Sequence, residues 1–327
     1  MQKLVTIFGG SGFIGRYVAR RMAKAGWRVR VASRRPNEAH FVRMYGSVGQ
    51  VEPVFANIRD DASVAAALTG ASAVVNCVGI LAPSGRNGFD AVQSEGAARI
   101  ARLAAEAGIA RMVQISAIGA AADSDSDYAR TKAGGETGVR EHLPDAVILR
   151  PSIVFGPEDE FFNRFANMAR RAPVLPVVGA NTRFQPVYVD DVAAAVEAAL
   201  AGKVDGGVYE LGGPDTETFR ELMHRMLRTI RRRALILPVP FFGARAMAWG
   251  LDLGQTITGG LFHNGLLTRD QVRNLARDNV ASGEHPGFEA FGIVPTTMGA
   301  VLPGYLWRFR PSGQYAEIKD SAKNLRT

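Results

Sequence analysis

Two groups of residues in this chain have the types and spacing to do chemistry. The first is Gly9-Gly10-Ser11-Gly12-Phe13-Ile14-Gly15, which places glycines at 9, 12 and 15. Such spacing suits a dinucleotide. Gly9 permits a tight turn, Gly12 lets a pyrophosphate approach the backbone, and Gly15 lets a helix lie close on a sheet. The pyrophosphate then rests against the positive helix N-terminus, so Ser11, Phe13 and Ile14 belong to the same site. The second group is Tyr128 and Lys132. Residues four apart on a helix share a face, so both side chains can reach one substrate.

The glycine turn has this meaning only between a strand and a helix. Leu4–Phe8 is a continuous apolar run, as expected of a strand buried on both faces of a parallel sheet. A helical pattern follows from Phe13 to about Ala25. Further strands are expected at Trp27–Ala32, Gln50–Ala56, Ala73–Val78, Arg111–Ser116 and Ala146–Leu149. Helices are expected at Ala62–Leu68, Phe89–Ala107 and Tyr128–Glu141. This alternation predicts an α/β fold, a doubly wound parallel Rossmann sheet with a smaller C-terminal α/β region. The division expected is residues 1–235 for the nucleotide-binding domain, with 151–185 contributing to the second lobe, and 236–327 for that lobe. After Arg150, prolines punctuate the chain. A helix is expected at Asp190–Leu200 with Asp190 as its N-cap, then a strand at Val208–Leu211 and a helix at Thr218–Ile230. The tail Glu317–Thr327 reads as frayed.

The end of the second strand bears on the choice of dinucleotide. An NAD(H) site offers an acid there to hold the ribose hydroxyls. This chain reads Ser33-Arg34-Arg35, with no acid. Arg34 or Arg35 suits a 2′-phosphate, which favours NADPH and NADP+ over NAD(H). Asn57 and Ile58, after the third strand, are expected near the adenine. Cys77, Val78 and Gly79, after the fourth, are expected along the cofactor's middle.

The 327 residues carry a net charge of +8. Cys77 is the one cysteine, so the chain has no intramolecular disulfide and no Cys-rich zinc site. The basic excess would suit nucleic acid, an anionic membrane surface or an acidic protein neighbour. No nucleic-acid-binding signature is present, which leaves the membrane surface or a protein. The basic residues concentrate at Arg34-Arg35 and at Arg225, Arg228, Arg231, Arg232 and Arg233. The five histidines show no ligand spacing, so no metal site is expected. Met1-Gln2-Lys3 runs straight into a strand, which reads as a chain without a targeting segment. The uncharged stretch Ala62–Gly85 is broken by Thr69-Gly70-Ala71-Ser72, and Leu253–Leu267 is too short to span, so no transmembrane helix is expected.

Together the Gly9–Gly15 turn, Asn76-Cys77-Val78-Gly79 and Tyr128-Ala129-Arg130-Thr131-Lys132 resemble the short-chain dehydrogenase/reductase superfamily, in its extended or atypical branch. The resemblance implies that Tyr128 is the acid/base and that Lys132 lowers its pKa and holds the nicotinamide ribose. It also implies a catalytic hydroxyl after the fifth strand. Extended members commonly place it second of two, and this chain reads Ser116-Ala117. Ser116 is the hydroxyl left to stand in.

Four further blocks narrow the resemblance: Arg150–Asp159, Phe161–Phe165, Gln185–Ala193 and Tyr209–Pro214. They resemble the alpha-subcomplex subunit nine family, accessory subunits of respiratory complex I (NADH:ubiquinone oxidoreductase). This implies an accessory, non-catalytic subunit that holds NADPH structurally, with Ser116, Tyr128, Lys132, Pro151 and Ile153 among its contacts. It implies other complex I subunits as partners, near the quinone site and the membrane junction. The location implied is peripheral, on the cytoplasmic face of a bacterial inner membrane. Leu237–Leu267, with Pro238, Pro240, Phe241, Phe242, Trp249 and Phe262, reads as a docking region. The alternative is a free NADP-dependent oxidoreductase, or a sugar-nucleotide epimerase/dehydratase-like enzyme, working through Tyr128 and Lys132.

Overall fold

The computed structural model describes residues 3–244, 268–315 and 321. Contacts divide the chain into two compact units that interleave along the sequence. The first is Met1–Ser152, Val189–Gly212 and Ala281–Pro295; the second is Ile153–Tyr188, Gly213–Val280 and Thr296–Thr327. The boundary read from the sequence after residue 235 falls inside the second unit.

The first unit is built on a seven-stranded sheet. Its strands include β1 (Leu4–Phe8), β2 (Arg28–Ser33), β3 (Val51–Phe55), β4 (Ala73–Asn76), β5 (Met112–Ile115) and β6 (Val147–Pro151). The seventh, Gly207–Leu211, lies beside β6 at one edge, and the order continues β5, β4, β1, β2, β3. Every pairing is parallel. The doubly wound Rossmann arrangement expected from the strand–helix alternation is what forms. Val5, Ile7 and Phe8 of β1 are fully buried. Thr6 is buried among them and satisfies its hydroxyl on the Ala67 carbonyl at 2.8 Å.

Helices α1 (Phe13–Lys24), α2 (Asp61–Leu68), α3 (Glu95–Glu106) and α4 (Asp127–His142) cover this sheet. Of these, α2, α3 and α4 pack in a row, and α1 packs with the helix Val189–Leu200. Asp190 is not that helix's N-cap, as the sequence suggested. It lies inside the first turn, where Arg21 bonds its carboxylate at 2.8 Å and Arg20 at 3.4 Å. An arginine pair brought in by α1 has claimed the carboxylate.

A second departure lies at the start of α3. The expected helix Phe89–Ala107 opens instead with a widened π-type turn, Asp90–Ser94. Its Gln93 carbonyl lies so close to α4 that a side chain on Gly135 would meet it at 2.2 Å. Such bulges inside helices occur often at functional sites.

In the second unit, helices Phe161–Arg171, Phe219–Thr229 and Met298–Leu306 surround a core that includes Phe162, Leu175, Leu222, Met226 and Leu302. Strand Val174–Val178 pairs in parallel with Leu235–Val239. Thr218 and Glu221 form a reciprocal capping box at the start of Phe219–Thr229. Of the expected docking region, Trp249 and Phe262 lie outside the described residues, as does most of the tail. Among the described residues, no helix is long and apolar enough to cross a membrane.

Candidate functional site

The glycine turn joins the end of β1 to the start of α1. Gly9 has φ +72°, a left-handed conformation that favours glycine. Its amide donates to the Ala32 carbonyl of β2 at 3.0 Å, and Gly12 closes the turn on the Gly9 carbonyl at 2.9 Å. Gly12 caps α1 with no side-chain partner, so Phe13 and Ile14 open the helix as a bare N-terminus. A Cβ on Gly15 would stand 2.2 Å from the Gly9 carbonyl oxygen, so only glycine lets α1 sit against the turn. The result is a tight backbone turn against the start of α1, onto which Arg16 donates at the Gly12 and Ser11 carbonyls, each at 3.3 Å.

Neighbouring strand ends close on this turn. Ser11 Oγ lies 3.3 Å from Ser33 Oγ, which also accepts from the Arg35 amide at 3.3 Å. Arg34 donates to Asn87 Oδ1 at 3.2 Å, while Arg35 pairs with Glu38 at 3.2 Å. Both arginines are exposed. Asn57 is set by its amide bond to Ser63 Oγ at 2.7 Å. Ile58 is buried, in the core beside α3. On the other side, Gly9 packs on the Cys77–Val78 peptide, and the Val78 amide bonds Asn76 Oδ1 at 3.0 Å. Buried Asn76 is itself fixed by Gln114 at 2.9 Å. Burial pushes the Cys77 thiol up to about 12, which favours the protonated form.

Helix α4 brings up the second group. Ser126 caps it by accepting the Ala129 amide at 3.3 Å. Lys132 Nζ lies 5.8 Å from the centre of the Tyr128 ring and donates to the Ile115 carbonyl at 3.3 Å. A Cβ on Gly79 would be 3.3 Å from the same Nζ. Tyr128 also stacks edge-on against Phe89, with centroids 6.1 Å apart. Burial pulls the Lys132 ammonium down to about 8, against the opposing pull of the Glu136 carboxylate.

Ser116 is engaged elsewhere. Its hydroxyl donates to Glu136 Oε1 at 2.5 Å. Arg150 grips the same carboxylate in a two-pronged pair, at 2.8 and 2.7 Å. Glu136 is buried, and its bonds hold the Arg150 guanidinium above its usual pKa. The network continues from Arg150 toward Glu210 at 3.8 Å, and Glu210 accepts from Ser282 at 2.9 Å. Sequence reasoning missed Glu136 and Arg150. The available signal was the spacing Tyr128, Lys132, Glu136, which extends one helix face by another turn.

Two expected contacts lie at the end of β6 and just beyond it in sequence. Pro151 ends β6, and its carbonyl accepts the Ile118 amide at 3.1 Å. Ile153 belongs to the second unit, where its amide bonds Asn279 Oδ1 at 2.9 Å. Among the described residues no cluster of His, Cys, Asp or Glu suits a metal ion.

The profile of the NAD dependent epimerase/dehydratase family matches residues 5–212, which spans the turn, the Tyr128–Lys132 face and β6. This chain belongs to the NAD dependent epimerase/dehydratase family. The resemblance to extended short-chain dehydrogenases/reductases is thereby borne out. Two relatives stand out among similar proteins. The "NADH dehydrogenase [ubiquinone] 1 alpha subcomplex subunit 9, mitochondrial" of Arabidopsis thaliana is 34% identical over 316 residues, covering 95% of this chain and 79% of its own. The "Ceramide reductase" of Caulobacter vibrioides is 33% identical over 253 residues, covering 75% of this chain and 78% of its own. Among solved structures, the UDP-glucose 4-epimerase of Thermus thermophilus in complex with NAD superposes with a TM-score of 0.67 at 19% identity, covering 94% of this chain and 99% of that one. That likeness is one of fold.

Proposed function

We propose that this family member is an accessory subunit of respiratory complex I that holds NADPH as a structural ligand. The observation that carries the reading is the 34% identity to the Arabidopsis thaliana complex I subunit across 95% of the chain. Relatives with the same printed role in Mus musculus and Dictyostelium discoideum, at 31% identity each, support it. The partners are then other complex I subunits, near the quinone site, with an anionic membrane surface beside them. The basic excess of the chain suits both neighbours. The location that follows is peripheral, on the cytoplasmic face of a bacterial inner membrane.

The residues fit a dinucleotide. The glycine turn at Gly9–Gly15, at the start of α1, suits a pyrophosphate, and Arg34 and Arg35 suit a 2′-phosphate. Gln93 donates to the Ile80 carbonyl at 3.2 Å, and its buried Oε1 has no partner among the described residues. That orphaned acceptor suits a donor on a bound molecule. When bound, the dinucleotide supplies hydride chemistry. The non-catalytic reading rests on the hydroxyls. Ser116 donates its hydroxyl to Glu136, and the next residue is Ala117, which has none; both support that reading. A ligand that binds only the folded chain then stabilises it by mass action.

Purification in mild detergent, with mass spectrometry of partners and nucleotide, tests this reading. Complex I subunits and NADPH are the expected finds; a chain that purifies alone overturns it. Arg34→Ala is expected to weaken NADP+ about tenfold and leave NAD+ unchanged. Equal losses for both would remove Arg34 from the site.

A second reading has its own observation. Tyr128 and Lys132 are in place, and a relative of similar identity is a ceramide reductase. A free NADPH-dependent reductase of an amphipathic carbonyl compound would use Tyr128 to give up a proton, with Lys132 as the cation beside it. Oxidation of NADPH with 3-ketosphingolipid or sugar-nucleotide substrates, abolished by Tyr128→Phe, would establish it over the first.

A further inference from the structure

A small turn beyond β4, Ser84-Gly85-Arg86-Asn87, has no role in the site above. It closes on itself: the Ser84 amide bonds the Asn87 carbonyl at 3.1 Å, and the Asn87 amide bonds that of Ser84 at 3.0 Å. Gly85 takes φ +53°, the sign that the tight hairpin turns ask of their first central residue. Two arginines from other strand ends hold this turn. Arg34, directly after β2, donates to Asn87 Oδ1 at 3.2 Å. Arg59, beyond the end of β3, donates to the Arg86 carbonyl at 2.8 Å. Ser33 and Phe55 are paired in register, so β2 and β3 end level. Asn57 sets the course of the chain at Arg59 by accepting its amide at 3.2 Å.

Both acceptors are neutral, one a side-chain amide and one a peptide carbonyl. Among the described residues neither guanidinium has a carboxylate partner, whereas Arg35 has Glu38 at 3.2 Å. A bond to a neutral oxygen leaves the cationic charge unmatched, and bonds to an anion are roughly twice as strong. Each guanidinium also keeps further N–H donors beyond the one it gives the turn. A phosphate monoester carries about two negative charges near neutral pH, so one arginine balances only part of it. Because Arg34 and Arg59 reach adjacent residues of one turn, their charges lie side by side. They do so outside the carboxyl ends of the strands, where open parallel sheets bind ligands.

We infer that Arg59 is a second specificity-determining residue for the 2′-phosphate of the dinucleotide, acting with Arg34 where Arg35 is held by Glu38. The turn Ser84–Asn87 presents both guanidinium groups, and Asn87 is a positioning residue that works through Arg34. This rests on the reading of the chain as one that holds NADPH.

The test is calorimetric titration of the full chain with NADP+ and with NAD+, read as the ratio of the two Kd values. Arg59→Gln keeps a donor for the Arg86 carbonyl and removes the charge. It is expected to weaken NADP+ about tenfold and to leave NAD+ unchanged. Asn87→Asp sets a carboxylate against Arg34 and is expected to weaken NADP+ about tenfold as well, again sparing NAD+. Asn87→Ala removes only a neutral acceptor and is expected to keep the ratio within about threefold of the parent. The inference is overturned if Arg59→Gln or Asn87→Asp leaves the ratio at the parent value, or if Arg35→Ala shifts it as far as Arg59→Gln does. With the parent still preferring NADP+, that result leaves the NADPH reading standing. A parent that binds neither nucleotide, or prefers NAD+, overturns that reading and this inference together.

Discussion

At the glycine turn the groups proposed to work are backbone, and the close packing there depends on the lack of side chains at Gly9, Gly12 and Gly15. At the Tyr128–Lys132 face the working groups are side chains, and each one has neighbours competing for it. Lys132 donates to the Ile115 carbonyl, and Ser116 donates to Glu136. A backbone site depends on local conformation, so its competence travels with a short motif. A side-chain site depends on what the fold packs around it. Under the proposed function, one region of this molecule serves as a nucleotide cradle while the Ser116–Glu136–Arg150 group of the other holds helix α4 on the sheet.

The hardest test of that contrast is Glu136→Gln. If the Ser116–Glu136–Arg150 group is a structural clamp, removing its charge leaves Arg150 poorly paired and costs about 3–5 kcal/mol in urea unfolding. A loss under about 1 kcal/mol would mean that the network is incidental. Next comes Gly15→Ala, whose Cβ would meet the Gly9 carbonyl oxygen and Gly10 Cα at 2.2 and 2.6 Å. It is expected to cost about 3 kcal/mol and to abolish dinucleotide binding by calorimetry. Full affinity in this variant would break the comparison, because the cradle would then tolerate a side chain.

Lys132→Met should act in the opposite direction. The buried ammonium titrates at about 8 when folded, against a usual 10.5. Below about pH 8 the chain carries the whole cost of burying the charge; as pH rises from about 8 to 10.5 the folded state sheds its proton first and stability rises. Lys132→Met is thus expected to be more stable by about 2 kcal/mol at pH 7, with the gap closing by about pH 10.5. A gap that does not change with pH would show that the ammonium is not desolvated. The smallest effect is expected from Ser116→Ala, about 1 kcal/mol for one lost hydrogen bond. Any NADPH oxidation the chain supports should survive it, and loss of that rate would restore Ser116 to catalysis.

Sequence alone made much of the first region legible. The strand–turn–helix order around Gly9–Gly15 depends on apolar runs and glycine spacing, and the sheet follows from repeating that alternation. The widened turn Asp90–Ser94 was not legible, because its cause is the close approach of Gly135 on another helix. Nor was Asp190: as an isolated carboxylate before an apolar helix it reads as a cap, and only the packing of α1 brings Arg21 to it.

What the sequence determined by itself, then, is the backbone cradle, the order of strands and helices, and the helix face carrying Tyr128 and Lys132, all set by neighbours within a few residues. The tertiary structure alone decided the fate of Ser116. Its hydroxyl lies twenty residues from Glu136, and Glu136 lies fourteen from Arg150. Hydrogen-bond competition between side chains that far apart depends on which strand ends and helix faces the fold brings together.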